Sequence, residues 1–66
     1  MNSYLIAFVS DSHRLMNEPY FYHKVYRITT EEENVKNYED YLERKFCLEF
    51  KVPLANVYHL WTCKIK

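Results

Sequence analysis

Apolar residues along this chain fall into four groups, one unbroken, two alternating and one recurring at spacings of three and four. The first, Tyr4-Leu5-Ile6-Ala7-Phe8-Val9, is six apolar residues without a break, the pattern of a strand covered on both faces. Residues 3 to 10 are therefore expected to form the central strand. Residues 11 to 19 are a polar connection that ends in a turn at Asn17 and Pro19. From Tyr20 to Thr29 the chain alternates, with Tyr20, Tyr22, Tyr26 and Ile28 on one side and Phe21, His23, Val25 and Arg27 on the other. That alternation predicts a second strand, antiparallel to the first.

The period then changes. Val35, Tyr38, Leu42 and Phe46 recur at spacings of three and four, with Tyr41 widening the stripe and Glu32, Lys36, Glu39 and Glu43 opposite, which predicts an amphipathic helix. Thr30-Glu31-Glu32-Glu33 has the form of a capping box, so the helix is expected to start there, with acids in its first turn and Arg44 and Lys45 in its last. Pro53 disfavours helix at Val52, which places the helix end between Cys47 and Phe50. Val57 to Ile65 alternates again as a third strand: Val57, His59, Trp61, Cys63 and Ile65 on one face, Tyr58, Leu60, Thr62 and Lys64 on the other.

Strand, strand, helix, strand has a simple solution. The chain is expected to be one α+β domain over residues 1–66, ββαβ, with a three-stranded antiparallel sheet in the order 2-1-3 and the helix packed on one face. Leu5, Ala7 and Val9 are expected beneath the helix with Val25, Val57, Trp61 and Ile65. The other face then carries Tyr4, Ile6, Phe8, Tyr20, Tyr22, Tyr26, Tyr58 and Leu60, and a single helix cannot cover it.

Composition sharpens that imbalance. Seven tyrosines, four phenylalanines and one tryptophan in 66 residues are a heavy aromatic load for a domain too small to bury much surface. There is no glycine, so tight primed hairpin turns are not expected. Two cysteines without a CxxC spacing, and no leader-like start, predict reduced thiols in a cytoplasmic protein. The N-terminal apolar run is far shorter than the roughly 20 residues that span a bilayer, so no membrane role is expected. Net charge is zero, with −5 over residues 31 to 43 and +4 over residues 44 to 66. Overall neutrality argues against strong nucleic-acid binding driven by counterion release.

Candidate chemistry is sparse. Phe8-Val9-Ser10-Asp11-Ser12-His13 resembles the first metal-binding motif of the calcineurin-like metallophosphoesterases, in which a strand delivers Asp-x-His to a two-metal centre. The resemblance covers six residues, and Arg14 stands where that family usually has Gly. The family's further Asp, Asn and His blocks have no counterpart in the chain, so its ligand roles are not carried over. His13, His23 and His59 lack metal-ligand spacing, and His59 is expected to donate to a backbone carbonyl. Cys47, at the C-terminal end of the helix, and Cys63, in a strand, are expected to be unactivated. No catalytic residue, metal or cofactor is predicted, and the chain is not expected to be an enzyme.

The expected function is a small protein-interaction module acting by stoichiometric binding, as a homodimer or on a larger partner. In size, lack of glycine and lack of a catalytic constellation it is similar to small phage or mobile-element regulators, including inhibitors of host defence. The expected partner-binding residues are Phe8, Tyr20, Tyr22, Tyr26 and Tyr58, with Glu39 and Glu43 on the acidic helix face. Aromatics in a sheet surface anchor protein interfaces and also stack unpaired bases. A single-stranded nucleic-acid module is therefore the alternative, and a minimal metal-dependent phosphodiesterase built on Asp11 and His13 a second one.

Overall fold

A computed structural model of the protein describes residues 1–10 and 22–66. Strand β1 (Asn2–Ser10) is followed by β2 (His23–Thr30), helix α1 (Lys36–Phe50), a 3₁₀ turn (Leu54–Asn56) and β3 (Val57–Lys64). The sheet has the order β2-β1-β3, and both pairings are antiparallel. The α+β class, the strand order and the central place of the unbroken apolar strand are thus as the sequence predicts.

The faces are inverted. Beneath α1 lie Tyr4, Ile6 and Phe8 of β1, Tyr26 of β2 and Val57 of β3, packed with Val35, Leu42, Phe46 and Val52. Leu5, Ala7 and Val9 point the other way, with Val25 and Trp61. The cause is aromatic packing: Phe8 has ring contacts with Tyr26 at 6.0 Å and Phe46 at 6.1 Å, and Phe50 with Tyr22 at 5.1 Å and Phe46 at 4.6 Å. A helix stripe of large side chains sits better on large rings than on the smaller Leu5, Ala7 and Val9. Tyrosine tolerates such burial when its hydroxyl reaches a partner. Tyr26 Oη donates to Glu49 Oε1 at 3.0 Å, Tyr4 Oη to the Glu32 carbonyl at 3.3 Å and Tyr38 Oη to Thr30 Oγ1 at 3.2 Å.

Within β3 the simple alternation also breaks. Phe8 pairs with His59 and Ala7 with Trp61, so Leu60 is an extra residue in a β-bulge, and a bulge reverses the side-chain parity beyond it. Val57 and His59 therefore share the helix side, as do Thr62 and Lys64, while Tyr58, Trp61 and Cys63 share the other. Ile65 extends the ladder past β3 by donating its N–H to the Ser3 carbonyl at 2.8 Å.

Helix α1 begins five residues later than the capping box predicts, with Val35 rather than Thr30 as its N-cap. Thr30 is the last residue of β2 and pairs with Asn2; its hydroxyl accepts the Glu32 N–H at 3.1 Å and the Tyr38 hydroxyl. With Thr30 held in the sheet, the N-cap falls to Val35, which has no side-chain cap, and Asn34 Oδ1 just before it accepts the Lys36 N–H at 3.0 Å. The helix runs to Phe50, so Arg44 and Lys45 lie in its middle and its last turn carries no base. Tyr41 does not widen the buried stripe, for it is 62% exposed. At the C-terminal end Lys51 adopts φ 58°, ψ 46°, and the Val52 N–H returns to the Cys47 carbonyl at 3.1 Å. A left-handed residue commonly closes a helix this way, usually glycine, and a glycine-free chain must use a side-chain-bearing residue instead.

Candidate interaction surface

The covered and open faces are now fixed, and the predicted site residues divide between them. Phe8 is buried under α1, as is Tyr26. Tyr22 is half-buried against Phe50. All three belong to the core side, which corrects their assignment to an exposed interface. Among the described members of that aromatic set, Tyr58 alone stands on the open face. Tyr20 lies outside the described residues, as do Asp11 and His13 of the phosphoesterase-like string.

Glu39 and Glu43 are half-buried on the helix flank above β3, on the opposite side of the sheet from Tyr58. Thr62 Oγ1 donates to Glu39 Oε2 at 2.5 Å, and His59 Nε2 lies 2.7 Å from the same hydroxyl and 3.7 Å from the same carboxylate oxygen. His59 thus meets a side-chain hydroxyl rather than a backbone carbonyl. Since the Thr62 proton is directed to Glu39, the imidazole nitrogen is the donor in its contact with Thr62. In a nucleophilic triad the histidine instead bridges hydroxyl and carboxylate and accepts the hydroxyl proton. The cluster is therefore a tie between α1 and β3, beside a recess of about 250 Å³ lined by Lys36, Asp40 and Glu43.

A second tie joins α1 to β2. Lys24 Nζ is 2.5 Å from Glu49 Oε2 and 5.0 Å from the Tyr26 ring centroid. Burial pushes the Tyr26 phenol up to about 12, and the hydrogen bond to Glu49 and its negative charge add to the shift. The hydrogen bond from Lys24 holds the Glu49 carboxyl below its usual range. Cys47 is pushed up by burial and then by Glu43, the opposite of thiol activation. Among the described residues no three His, Cys, Asp or Glu side chains form a group that could hold a metal ion.

Helix α1 has more contact with β1 and β3 than with β2, which leaves a groove of about 530 Å³ between α1 and β2, lined by Tyr26, Ile28, Tyr38, Tyr41 and Lys45 among others. Its tyrosine hydroxyls at Tyr26 and Tyr38 are already engaged by Glu49 and Thr30.

The open face carries exposed apolar side chains. Trp61 is 44% exposed, Tyr58 48%, Val25 48% and Ile65 42%, and the half-buried Leu5 and Val9 with the buried Ala7 fill the middle. Its β2 row is His23, Val25, Arg27 and Thr29, so among the described residues Arg27 is the one formal charge in it and no strand carboxylate belongs to it. Val25, Trp61 and Ile65 could be grouped from alternation, but the signal for their exposure lay in the helix, whose large stripe required the aromatic face. Compared with known proteins, the chain matches no family model, no curated protein and no solved structure.

Proposed function

We propose that the chain is a small protein-interaction module that works by stoichiometric binding through the open face of its sheet. The observation that carries the reading is the combination, among the described residues, of four large apolar side chains on one face, Val25, Tyr58, Trp61 and Ile65, each more than two-fifths exposed, with a single formal charge. Contiguous apolar patches of this kind mark interaction sites on soluble proteins. Depletion of charge with enrichment of aromatics is the composition of an interface core. In this reading the protein regulates or inhibits a larger macromolecule, or pairs with itself, by occupying a surface rather than by turnover. It works in the cytoplasm, where Cys47 and Cys63 remain thiols; no helix among the described residues is long and apolar enough to cross a membrane.

Trp61, Tyr58 and Arg27 on one face favour a second reading, a platform on which unpaired bases stack. The aliphatic residues Leu5, Val9, Val25 and Ile65 around them favour protein instead. The deciding experiment compares immobilised wild-type protein with Val25→Lys/Trp61→Lys for capture from a native host lysate, with circular dichroism showing that both are folded. A partner recovered at one-to-one stoichiometry by the wild type and lost by the variant supports the reading. Equal capture by both removes the face from consideration. Salt-sensitive binding of a single-stranded oligonucleotide, lost in the same variant, replaces protein with nucleic acid. Manganese-dependent phosphodiester turnover abolished by Asp11→Ala makes the protein an enzyme.

A further inference from the structure

We infer that the open face is closed by a second copy of this chain, sheet against sheet, so that two helices enclose two sheets in a four-layer homodimer. The inference rests on the reading of that face as a protein interface and names its occupant. Three features point to a copy of the chain itself. The first is charge. Among the described residues an acidic partner would be met by Arg27 alone, and a basic partner by no carboxylate, so the face complements a surface as apolar as its own. The chain's net charge of zero leaves no overall repulsion between copies.

The second feature is the contrast between face and edges. β2 carries Lys24 and Arg27, while β3 carries the Leu60 bulge and Lys64, and charged side chains and bulges are what keep sheet edges from pairing with one another. Association is thus discouraged along the edges and left open across the face. The third is size. Three strands about 4.8 Å apart and some nine residues long give a plan area of roughly 400 Å² per copy. Side chains standing off the sheet enlarge the accessible area towards the lower end of specific interfaces, about 1,200 Å² in total.

Register selects the symmetry. Val25, Ala7 and Trp61 lie in one row across the sheet, and Arg27, Leu5 and Cys63 in another. A two-fold axis along β1 sets β2 over the other copy's β3, so Arg27 faces the apolar row beside Trp61, where a guanidinium is favoured over an indole. An axis across the strands sets β2 over β2 and brings Arg27 towards the other copy's His23 or Arg27. The axis along β1 is therefore the one that the face supports.

Cys63 is exposed on this face and reports on its burial without alteration of the protein. Light scattering from about 1 µM to about 1 mM should show the mass rising from one chain to two, with a midpoint of micromolar order. Alkylation of Cys63 should slow at least about tenfold over the same range. Val25→Lys/Trp61→Lys should remain a single chain throughout, with its circular dichroism intact. If that variant does not fold, Val25→Gln should weaken association by at least about tenfold. A wild-type protein that stays one chain at every concentration overturns the homodimer. If Cys63 is then protected only in a captured protein complex, the interface reading survives without it. Slow alkylation at all concentrations without any dimer means that the chain covers its own face, and both readings fall. Protection of Cys63 only by a single-stranded oligonucleotide overturns both in favour of base stacking.

Discussion

On the helix side of the sheet Phe8 is packed among Tyr26, Phe46 and His59, and the tyrosine hydroxyls there end on Glu49, Thr30 and the Glu32 carbonyl. On the open side Tyr58 and Trp61 of β3 and Val25 of β2 flank the central strand with nearly half of their surface in solvent. The two faces draw on the same residue types for different ends. Aromatics on the first are packed beneath the helix, whereas Trp61 on the second leaves 44% of its surface outside the fold. Aromatic content therefore does not locate an interface in a small domain; which rings the helix takes decides it.

The contrast predicts its own largest effect. Phe46 is fully buried and Leu42 nearly so, so Phe46→Ala should cost about 3 to 5 kcal/mol and Leu42→Ala about 2 to 5 kcal/mol. A domain of this size can be unfolded by either. Trp61→Ala, measured at a concentration that keeps the chain monomeric, should cost less than about 1 kcal/mol, since a half-exposed side chain leaves no closed cavity. Denaturant midpoints separate the two cases. A Trp61 effect as large as that of Phe46 would return Trp61 to the core and collapse the distinction between the faces.

What the sequence makes legible follows the same line. The unbroken run from Tyr4 to Val9 identifies the central strand, although only Tyr4, Ile6 and Phe8 join the core beneath the helix and Leu5 and Val9 are half-buried between the flanking strands. Alternation in β2 correctly separates Tyr22, Tyr26 and Ile28 from Val25 and Arg27. It cannot say which group faces the helix, because a strand's pattern is symmetrical between its sides until the partner's bulk is known. The Leu60 bulge leaves no trace in hydropathy, being an apolar residue among apolar residues, so side-chain parity in β3 is lost there. Thr30 to Glu33 has a capping-box sequence, but the ladder with Asn2 claims Thr30 first. Tyrosine as a core residue is legible only when acceptors such as Glu49, 23 residues away, are known to lie at its hydroxyl.

Tyr26 sharpens the comparison through pH, because its hydroxyl belongs only to the covered face. Its ordinary value of 10 is raised to about 12 by burial and by Glu49. A folded value above the unfolded one means that this stability is fully present below about pH 10 and is lost as pH rises towards 12. Glu49, held low by Lys24, works in the other direction: its contribution is present above the ordinary carboxylate value of 4.5 and is lost as pH falls through its lowered value. Tyr26→Phe should cost about 1 to 2 kcal/mol at neutral pH through loss of a hydrogen bond to a charged acceptor. It should also flatten the alkaline limb of stability between pH 10 and 12. Melting temperatures of both proteins across that range provide the check, and an unchanged alkaline limb would mean that the Tyr26 hydroxyl is solvated.

The smallest expected effect belongs to a residue on neither face. Lys51 closes α1 at φ 58°, a conformation that costs an L-residue with a Cβ roughly 1 kcal/mol, and it is the one positive-φ residue among those described. Lys51→Gly removes that steric cost while giving the unfolded chain more freedom to lose, so the net gain should be only about 0.5 kcal/mol. Its value lies in its position. The substitution strengthens the helix end that leads through Pro53 into β3 without altering a side chain on the open face. Urea denaturation should therefore show a slightly raised midpoint, while the concentration at which mass doubles should not move. A Lys51→Gly variant whose association changed along with its stability would show that self-association follows the monomer's folding rather than the exposed face, and the division between a structural face and a binding face would not hold.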